Sequence, residues 1–286
     1  MKVDAHQHFW RLADREGQWP PASLAAIHRD FGPQDLAPKL QAAGVDATVL
    51  VQSLPSVADT HWMLSVAADT PFVSGVVGWV DFHAADVVAQ IDELSRNPLL
   101  KGLRPMLQDL PDDDWIASAA SDPAAEAMQR HGLVFDALVL LRQLRGLHRF
   151  ASRHPGLPLV IDHAAKPLIA RGDIEPWRAD MAALAALPHV HCKVSGLLTE
   201  AGERRDAAAL LPYVQTLWTL FGPRRLLWGS DWPVLNLAGD YAGWWQLAQA
   251  LAHQLSPAPQ PGDLRALFGG NAIRLYRLDL DVDRHL

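Results

Sequence analysis

The 286-residue chain is short of cysteine, positive charge and long apolar runs. Its one cysteine, Cys192, cannot form an internal disulfide, which fits the reducing cytosol. The net charge of −7 disfavours nucleic acid and anionic membranes as partners. No apolar run reaches the roughly 18 residues of a membrane span, and the N-terminal segment shows no secretory signal pattern. We therefore expect a cytoplasmic protein that acts on a small molecule.

Hydrophobic residues make up 49% of the chain, enough for a large core. Short apolar runs rich in β-branched residues recur eight times. Several are nearly continuous, which is typical of parallel strands buried on both faces. The runs are Val3–Phe9, Ala47–Ser53, Phe72–Asp81, Leu100–Met106, Leu133–Val139, Pro158–His163, Val190–Gly196 and Arg225–Asp231.

Segments with helical spacing separate most of these runs. They include Asp35–Ala43, Ala84–Arg96, Leu141–Arg153, Glu175–Leu187 and Asp206–Phe221. This alternation predicts right-handed βαβ units, which close either into a barrel or into an open, doubly wound sheet. Eight units, and no Gly-x-Gly-x-x-Gly after the first strand, favour a (β/α)₈ TIM barrel. We expect one domain over residues 1–286, with an extra C-terminal helix over Leu264–Leu278.

Ionisable residues stand where several predicted strands end, and barrel active sites lie at that end. The first run ends in His6 and His8, which alternation places on one face. The sixth run ends in His163, and the eighth ends in Asp231. Arg104 lies near the end of the fourth run. These side chains are expected to converge on one site.

Other strand ends add weaker candidates. The second and third runs end near Gln52 and Trp79, and the fifth carries Asp136. Asp162 precedes His163, so alternation predicts that it points away from the site, to a cap or a loop hydrogen bond.

These motifs resemble a known family. His6-x-His8 after the first strand, His163 within IDHAAKP and Asp231 within WGSDWP are similar to the amidohydrolase superfamily. DAHQHFW, KGLRPMLQ, KVSGL and GGNAIRLYRL resemble its lactonase branch, which includes L-fuconolactonase-like, L-rhamnonolactonase-like and 2-pyrone-4,6-dicarboxylate lactonase-like proteins. The resemblance covers nearly the whole chain. It implies a hydrolase of the carboxylic ester class that opens a sugar lactone.

The chain departs from the metal-dependent members that it resembles. Those members carry a histidine on strand five or a carboxylated lysine on strand four. Here the fifth run has Asp136, and Lys101 lies near the start of the fourth run and out of phase with Arg104. A two-metal site is therefore not expected.

The resemblance still implies a place for one divalent metal ion. His6, His8 and Asp231, with His163 as an additional ligand, are the candidate donors, and zinc suits imidazole and carboxylate ligands. The lactonase branch also includes metal-independent members, so zinc is an option and not a requirement.

Lactone hydrolysis needs an activated water, a polarised carbonyl and help for the leaving alkoxide. Asp231 is the candidate base, and His163 and Arg104 are the candidates for polarising the carbonyl. Arg104 and Lys166 are candidate substrate-binding cations. The remaining substrate-binding candidates are Gln52, Trp79 and Trp232. Together with Trp10, the two tryptophans would form an apolar wall against a sugar ring.

The substrate expected from these residues is a neutral aldono-lactone, such as L-fucono-lactone or another 6-deoxy sugar lactone. The reason is that few basic side chains lie at the expected active-site end of the barrel, whereas a dicarboxylate lactone would need several. Hydrolysis of a dicarboxylate lactone and metal-dependent decarboxylation of an aromatic acid are the alternatives on the same fold. A barrel that only binds a sugar acid is a third. The pair Trp244–Trp245 leaves two options, self-association in an oligomer or packing on the barrel.

Overall fold

Eight short strands form one parallel sheet in the order of the chain. The structure, a computed structural model, describes residues 1–15 and 17–280. The edges of the sheet meet where the Asp231 amide donates to the His6 carbonyl and the His8 amide donates to the Trp232 carbonyl, both at 2.8 Å. The sheet is thus a closed barrel. Its strands are β1 Val3–Gln7, β2 Ala47–Val51, β3 Val73–Gly78, β4 Leu100–Leu103, β5 Val134–Ala137, β6 Leu159–Ile161, β7 Val190–Val194 and β8 Leu226–Trp228.

Helices follow the strands and surround the barrel. They are α1 Pro33–Ala43, α2 Val57–Ala68, α3 Val87–Leu94, α4 Asp122–His131, α5 Leu144–Arg153, α6 Trp177–Ala185, α7 Ala207–Phe221, α8 Tyr241–Ala252, α9 Pro261–Arg265 and α10 Asn271–Tyr276. Local sequence explains several ends. Ser56, Asp206 and Asp240 cap α2, α7 and α8 by accepting backbone amide hydrogen bonds. Gly44 ends α1 in the left-handed conformation, at φ 62°. The predicted (β/α)₈ barrel is confirmed.

One detail differs from the predicted elements, and one open option is decided. The C-terminal helix is present but interrupted, since a π-helical turn, Ala266–Gly270, separates α9 from α10. The chain passes so close to the N-terminus there that a Cβ on Gly269 would collide with the Met1 carbonyl. Trp244 and Trp245 on α8 are only 1% and 7% exposed, so both pack on the barrel instead of forming a surface patch.

Small apolar side chains fill the lower barrel. Residues such as Ala5, Val49 and Val134 form one buried cluster with Leu275 and Tyr276 of α10, so the C-terminal helix helps to cover this interior. The barrel interior at the C-terminal ends of the strands, called the upper interior below, is polar and holds the candidate site. No helix in the described parts of the chain has the length and apolarity to cross a bilayer.

Candidate active site

The two histidines of the first motif reach the upper interior from the end of β1. The pairing of β1 with β2 shifts register between Asp4 and Gln7. Asp4 contacts the Tyr241 hydroxyl on α8, whereas His6 lies among the buried side chains of the barrel. Such a bulge re-aims side chains beside it. The Nε2 atoms of His6 and His8 are 3.2 Å apart, so the structure brings both histidines together.

His163 and Asp231 follow β6 and β8 in the left-handed backbone region, at φ 53° and 58°. This conformation is uncommon for residues with a side chain and is concentrated at functional sites. The turn continues through Lys166, at φ 52°. Gly196 makes room for it, because a Cβ at Gly196 would lie 2.6 Å from the His163 Nδ1. The two strands end earlier than predicted, at Ile161 and Trp228, and the left-handed conformation turns His163 and Asp231 towards His6.

Asp231 is the centre of the cluster. Its Oδ1 lies 3.2 Å from His8 Nε2 and 3.8 Å from the Nε2 atoms of His6 and His163. Donor atoms of His6, His163 and Asp231 all lie within 4.8 Å of one another. A hydrogen bond with Ser195 orients the His163 ring, since the Ser195 Oγ is 2.9 Å from the His163 Nδ1.

The hydrogen bond of His8 fixes which nitrogen faces Asp231. Its Nδ1–H donates to the Val51 carbonyl at 2.7 Å, and a carbonyl oxygen only accepts. Nδ1 therefore carries a proton, and the lone pair of the neutral ring is on Nε2, facing Asp231. Two acceptor atoms 3.2 Å apart create a place for a cation or for a water that donates to both.

Burial sets the protonation of these groups. Burial lowers the pKa of His163 to about 4, against the opposing charge of Asp231, and lowers the pKa of His8 as well. Burial alone would raise the pKa of Asp231, but the imidazoles of His163, His8 and His6 hold it below its usual range. The site thus presents an ionised carboxylate among neutral imidazoles.

A buried charge cluster lies beneath the imidazoles. Lys193 on β7 has its Nζ 2.6 Å from Asp136 Oδ2, 2.9 Å from Asp162 Oδ1 and 3.1 Å from His6 Nδ1. Asp162 Oδ2 also lies 3.1 Å from Arg104 Nη1. Buried charges need such partners.

The structure corrects the interpretation of Asp162. It was expected to point away from His163, yet it is fully buried and lies 3.3 Å from His6 Nδ1. The left-handed turn at His163 breaks strand alternation, so neighbouring residues both face the upper interior. Lys193 was not singled out from the sequence. Its signal was a lysine inside the buried run of β7, where a charge is costly unless it is paired.

A cavity of about 460 Å³ opens above this cluster. Of the predicted residues, His8, Arg104, His163, Lys166 and Asp231 line it. The rest of the lining was not expected from the sequence and consists of Trp19, Ser53, Met106, Gln108, Asp109, Leu138, Thr199, Glu200, Val234 and Leu237.

Three predicted substrate-binding residues lie outside this lining. Gln52 is fully buried, and its side-chain amide donates to the Arg104 backbone carbonyl at 2.7 Å. The Gln52 backbone carbonyl in turn accepts from the Arg104 guanidinium. Gln52 therefore positions Arg104. Trp232 is 0% exposed, with its ring packed edge-on against Phe9. Trp79 lies just after β3, where its amide donates to the Thr60 hydroxyl.

The sequence profile of the amidohydrolase family matches residues 3–278. The chain belongs to the amidohydrolase family. This confirms the family inferred from the histidine and aspartate motifs.

Two relatives are similar over nearly their whole length. An L-fucono-1,5-lactonase of Burkholderia ambifaria is 53% identical over 284 residues, which cover 98% of this chain and 96% of the relative. An L-fucono-1,5-lactonase of Burkholderia multivorans is 36% identical, with 100% and 99% covered.

A solved amidohydrolase structure from Burkholderia multivorans, described with bound zinc, superposes with a TM-score of 0.89 at 36% identity. The match covers 98% of this chain and 100% of that chain. In this chain, the convergence of two imidazoles and a carboxylate also fits a divalent metal ion.

Proposed function

We propose that this amidohydrolase opens a neutral sugar lactone, L-fucono-lactone or a related aldono-lactone, by attack of water on the lactone carbonyl. The observation that carries the proposal is the carboxylate of Asp231 facing the His8 Nε2 lone pair at the floor of an open cavity. Such a pair of acceptors holds and deprotonates a water. The two L-fucono-1,5-lactonases that the chain resembles support the same reaction.

The residues divide the work of hydrolysis between them. Asp231 accepts a proton from the water as the water oxygen bonds to the carbonyl carbon. Arg104 and His163 lie beside it and stabilise the negative charge that develops on the carbonyl oxygen. The ring C–O bond then breaks, and protonated Asp231 returns the proton to the departing alkoxide. The products are a hydroxyl group and a carboxylic acid, which ionises and releases a proton to the solvent.

His6, His163 and Asp231 are the proposed ligands of a divalent ion, with His8 Nε2 beside them. When bound, a zinc ion would lower the pKa of its water and polarise the carbonyl. The chain supplies the supporting contacts itself, because Ser195 and the Val51 carbonyl orient the rings of His163 and His8.

The alternative of aromatic decarboxylation gains no support from the site. Its metal-dependent form requires a histidine on the fifth strand, where this chain has Asp136. That carboxylate is occupied by Lys193 and by the Tyr276 hydroxyl, at 2.6 and 2.7 Å.

A pH-indicator assay on a panel of aldono-lactones tests the proposal. We expect acid release by the wild-type protein and a loss of about 10²–10⁴-fold in kcat for Asp231→Asn, the range typical of a lost general base. Asp69→Asn, at an exposed position, is the matched control. No acid release on any lactone, or an Asp231→Asn variant as active as the control, would overturn the proposal.

A further inference from the structure

Two oppositely charged side chains share one side of the cavity. Lys166 follows β6 and Glu200 follows β7, which are neighbouring strands. The Lys166 Nζ lies 3.9 Å from Glu200 Oε1, and both residues line the cavity that Asp231 lines. The two loops are tied together by the Ala170 amide, which donates to the Glu200 carbonyl at 3.0 Å. The backbone of Glu200 is therefore joined to the loop that carries Lys166.

The Lys166 ammonium and the Glu200 carboxylate can both form hydrogen bonds with a ligand. At 3.9 Å the nitrogen and oxygen are too far apart for a direct hydrogen bond. The side chains are 24% and 27% exposed, so neither head is sealed by protein. An ammonium group only donates and a carboxylate only accepts. Neighbouring hydroxyl groups on a sugar ring do both, so they match the pair.

Other loops give the cavity apolar surface. Leu138 follows β5, and Val234 and Leu237 follow β8. These side chains offer no hydrogen bonds and suit the carbon face or the methyl group of a deoxysugar. The polar partners for hydroxyl groups lie elsewhere on the wall, and the Lys166–Glu200 pair is one of them.

The charge of Glu200 also bears on which lactones fit. Burial raises the pKa of Glu200 above its ordinary value, Lys166 opposes this, and the negative charge of Asp231 adds to it. Glu200 therefore already lies in the field of one carboxylate and offsets the charge of Lys166. A lactone carrying its own carboxylates would add further negative charge beside both acids.

We propose that Lys166 and Glu200 form a hydroxyl-binding subsite, and that Glu200 is the specificity-determining residue that favours neutral, hydroxylated lactones over carboxylated ones. The inference deepens the proposed lactonase function and rests on it.

Glu200→Gln tests the subsite with substrates that differ in hydroxylation. For a hydroxylated aldono-1,4-lactone we expect KM to rise about tenfold, the effect of losing one hydrogen bond to a charged group. For γ-butyrolactone, which has the same five-membered ring and no hydroxyl groups, KM stays within twofold of the wild-type value. Inhibition by 2-pyrone-4,6-dicarboxylate becomes stronger, because its carboxylates no longer meet the charge of Glu200. Glu203→Gln, on the same loop and exposed, is the matched control.

Binding to proteins that cannot turn over separates the two proposals. In the Asp231→Asn background, calorimetry with the aldono-1,4-lactone should show at least fivefold weaker binding when Glu200→Gln is added. If the wild type hydrolyses no lactone but this difference holds, the lactonase function fails and the subsite stands. Equal KM changes on both lactones, a fall in kcat on both, or unchanged calorimetric affinity would overturn the subsite.

Discussion

Lys193→Met tests whether the buried charge cluster supports the barrel. Lys193, Asp136 and Asp162 have fully buried side chains, and the Lys193 Nζ lies within 2.9 Å of both carboxylates. Without the ammonium group, Asp162 keeps Arg104 as its partner, but among the described residues Asp136 keeps only the Tyr276 hydroxyl. Removing one partner of a buried ion pair costs about 3–5 kcal/mol. For a domain of this size we expect the melting temperature to fall by about 6–20 °C.

The loss of stability in Lys193→Met should be larger at high pH than at low pH. Burial raises the pKa of Asp136 to about 6 even though Lys193 lowers it, so removing Lys193 raises this pKa further. The native variant then holds a proton that the unfolded chain, with a carboxyl pKa of about 3.9, releases. Stability from a raised pKa is present at low pH and is lost as pH rises through the native value. The deficit relative to wild type is therefore smaller at pH 5 than at pH 8.

Thermal melting followed by intrinsic fluorescence at both pH values measures this effect. Lys39→Met on α1, outside the cluster, is the control. In the double variant Lys193→Met/Asp136→Asn the amide removes the uncompensated charge, so most of the pH dependence should disappear. A melting temperature that falls no further than that of the control, or an equal loss at both pH values, would refute the reasoning.

Three further predictions concern the site itself. Gly196→Ala should reduce kcat, because the new Cβ would lie 2.6 Å from the His163 Nδ1. Gly222 has a similar positive φ but no atom within 4 Å of an added Cβ, so Gly222→Ala should lower stability and leave kcat unchanged. Equal activity in the two variants would contradict this. Zinc calorimetry on metal-free protein should give one binding site, weakened at least tenfold in Asp231→Asn, and no zinc uptake by the wild type would contradict the ligand set. Because the pKa of Asp231 is held low, kcat in the Glu200→Gln variant, followed by chromatography of the acid product, should decline only below the usual carboxyl pKa of about 3.9, and an acid limb of kcat above pH 5 in that variant would argue against Asp231 as the base.

The barrel could be predicted because parallel strands buried on both faces leave apolar runs in the sequence. Every predicted run contains one observed strand, from Val3–Gln7 to Leu226–Trp228. The strand ends could not be predicted as well. His163 and Asp231 extend their runs in sequence, but their left-handed backbone takes them out of the sheet. That conformation depends on room made elsewhere in the chain, such as at Gly196, which local patterns do not reveal.

The candidate site was predictable at its centre and less so around it. His6, His8, His163 and Asp231 meet, as expected from polar residues at strand ends. The tryptophan wall did not follow, since aromatic residues after strands serve packing as readily as binding. Trp232 lies in the core, and it is Trp19, from the loop after β1, that lines the cavity. Nothing in the local sequence distinguishes these two tryptophans, because their different places depend on long-range packing.

The charge balance of the upper barrel connects the site to its substrate. Three buried carboxylates, those of Asp136, Asp162 and Asp231, face two buried basic side chains, Lys193 and Arg104. When all are ionised the cluster has an excess negative charge, in surroundings where burial keeps the imidazoles neutral. Such a site attracts a cation or the hydrogens of a water and repels an anion. The excess therefore favours both water activation at Asp231 and a neutral lactone, and it makes the negatively charged product easier to expel than the substrate.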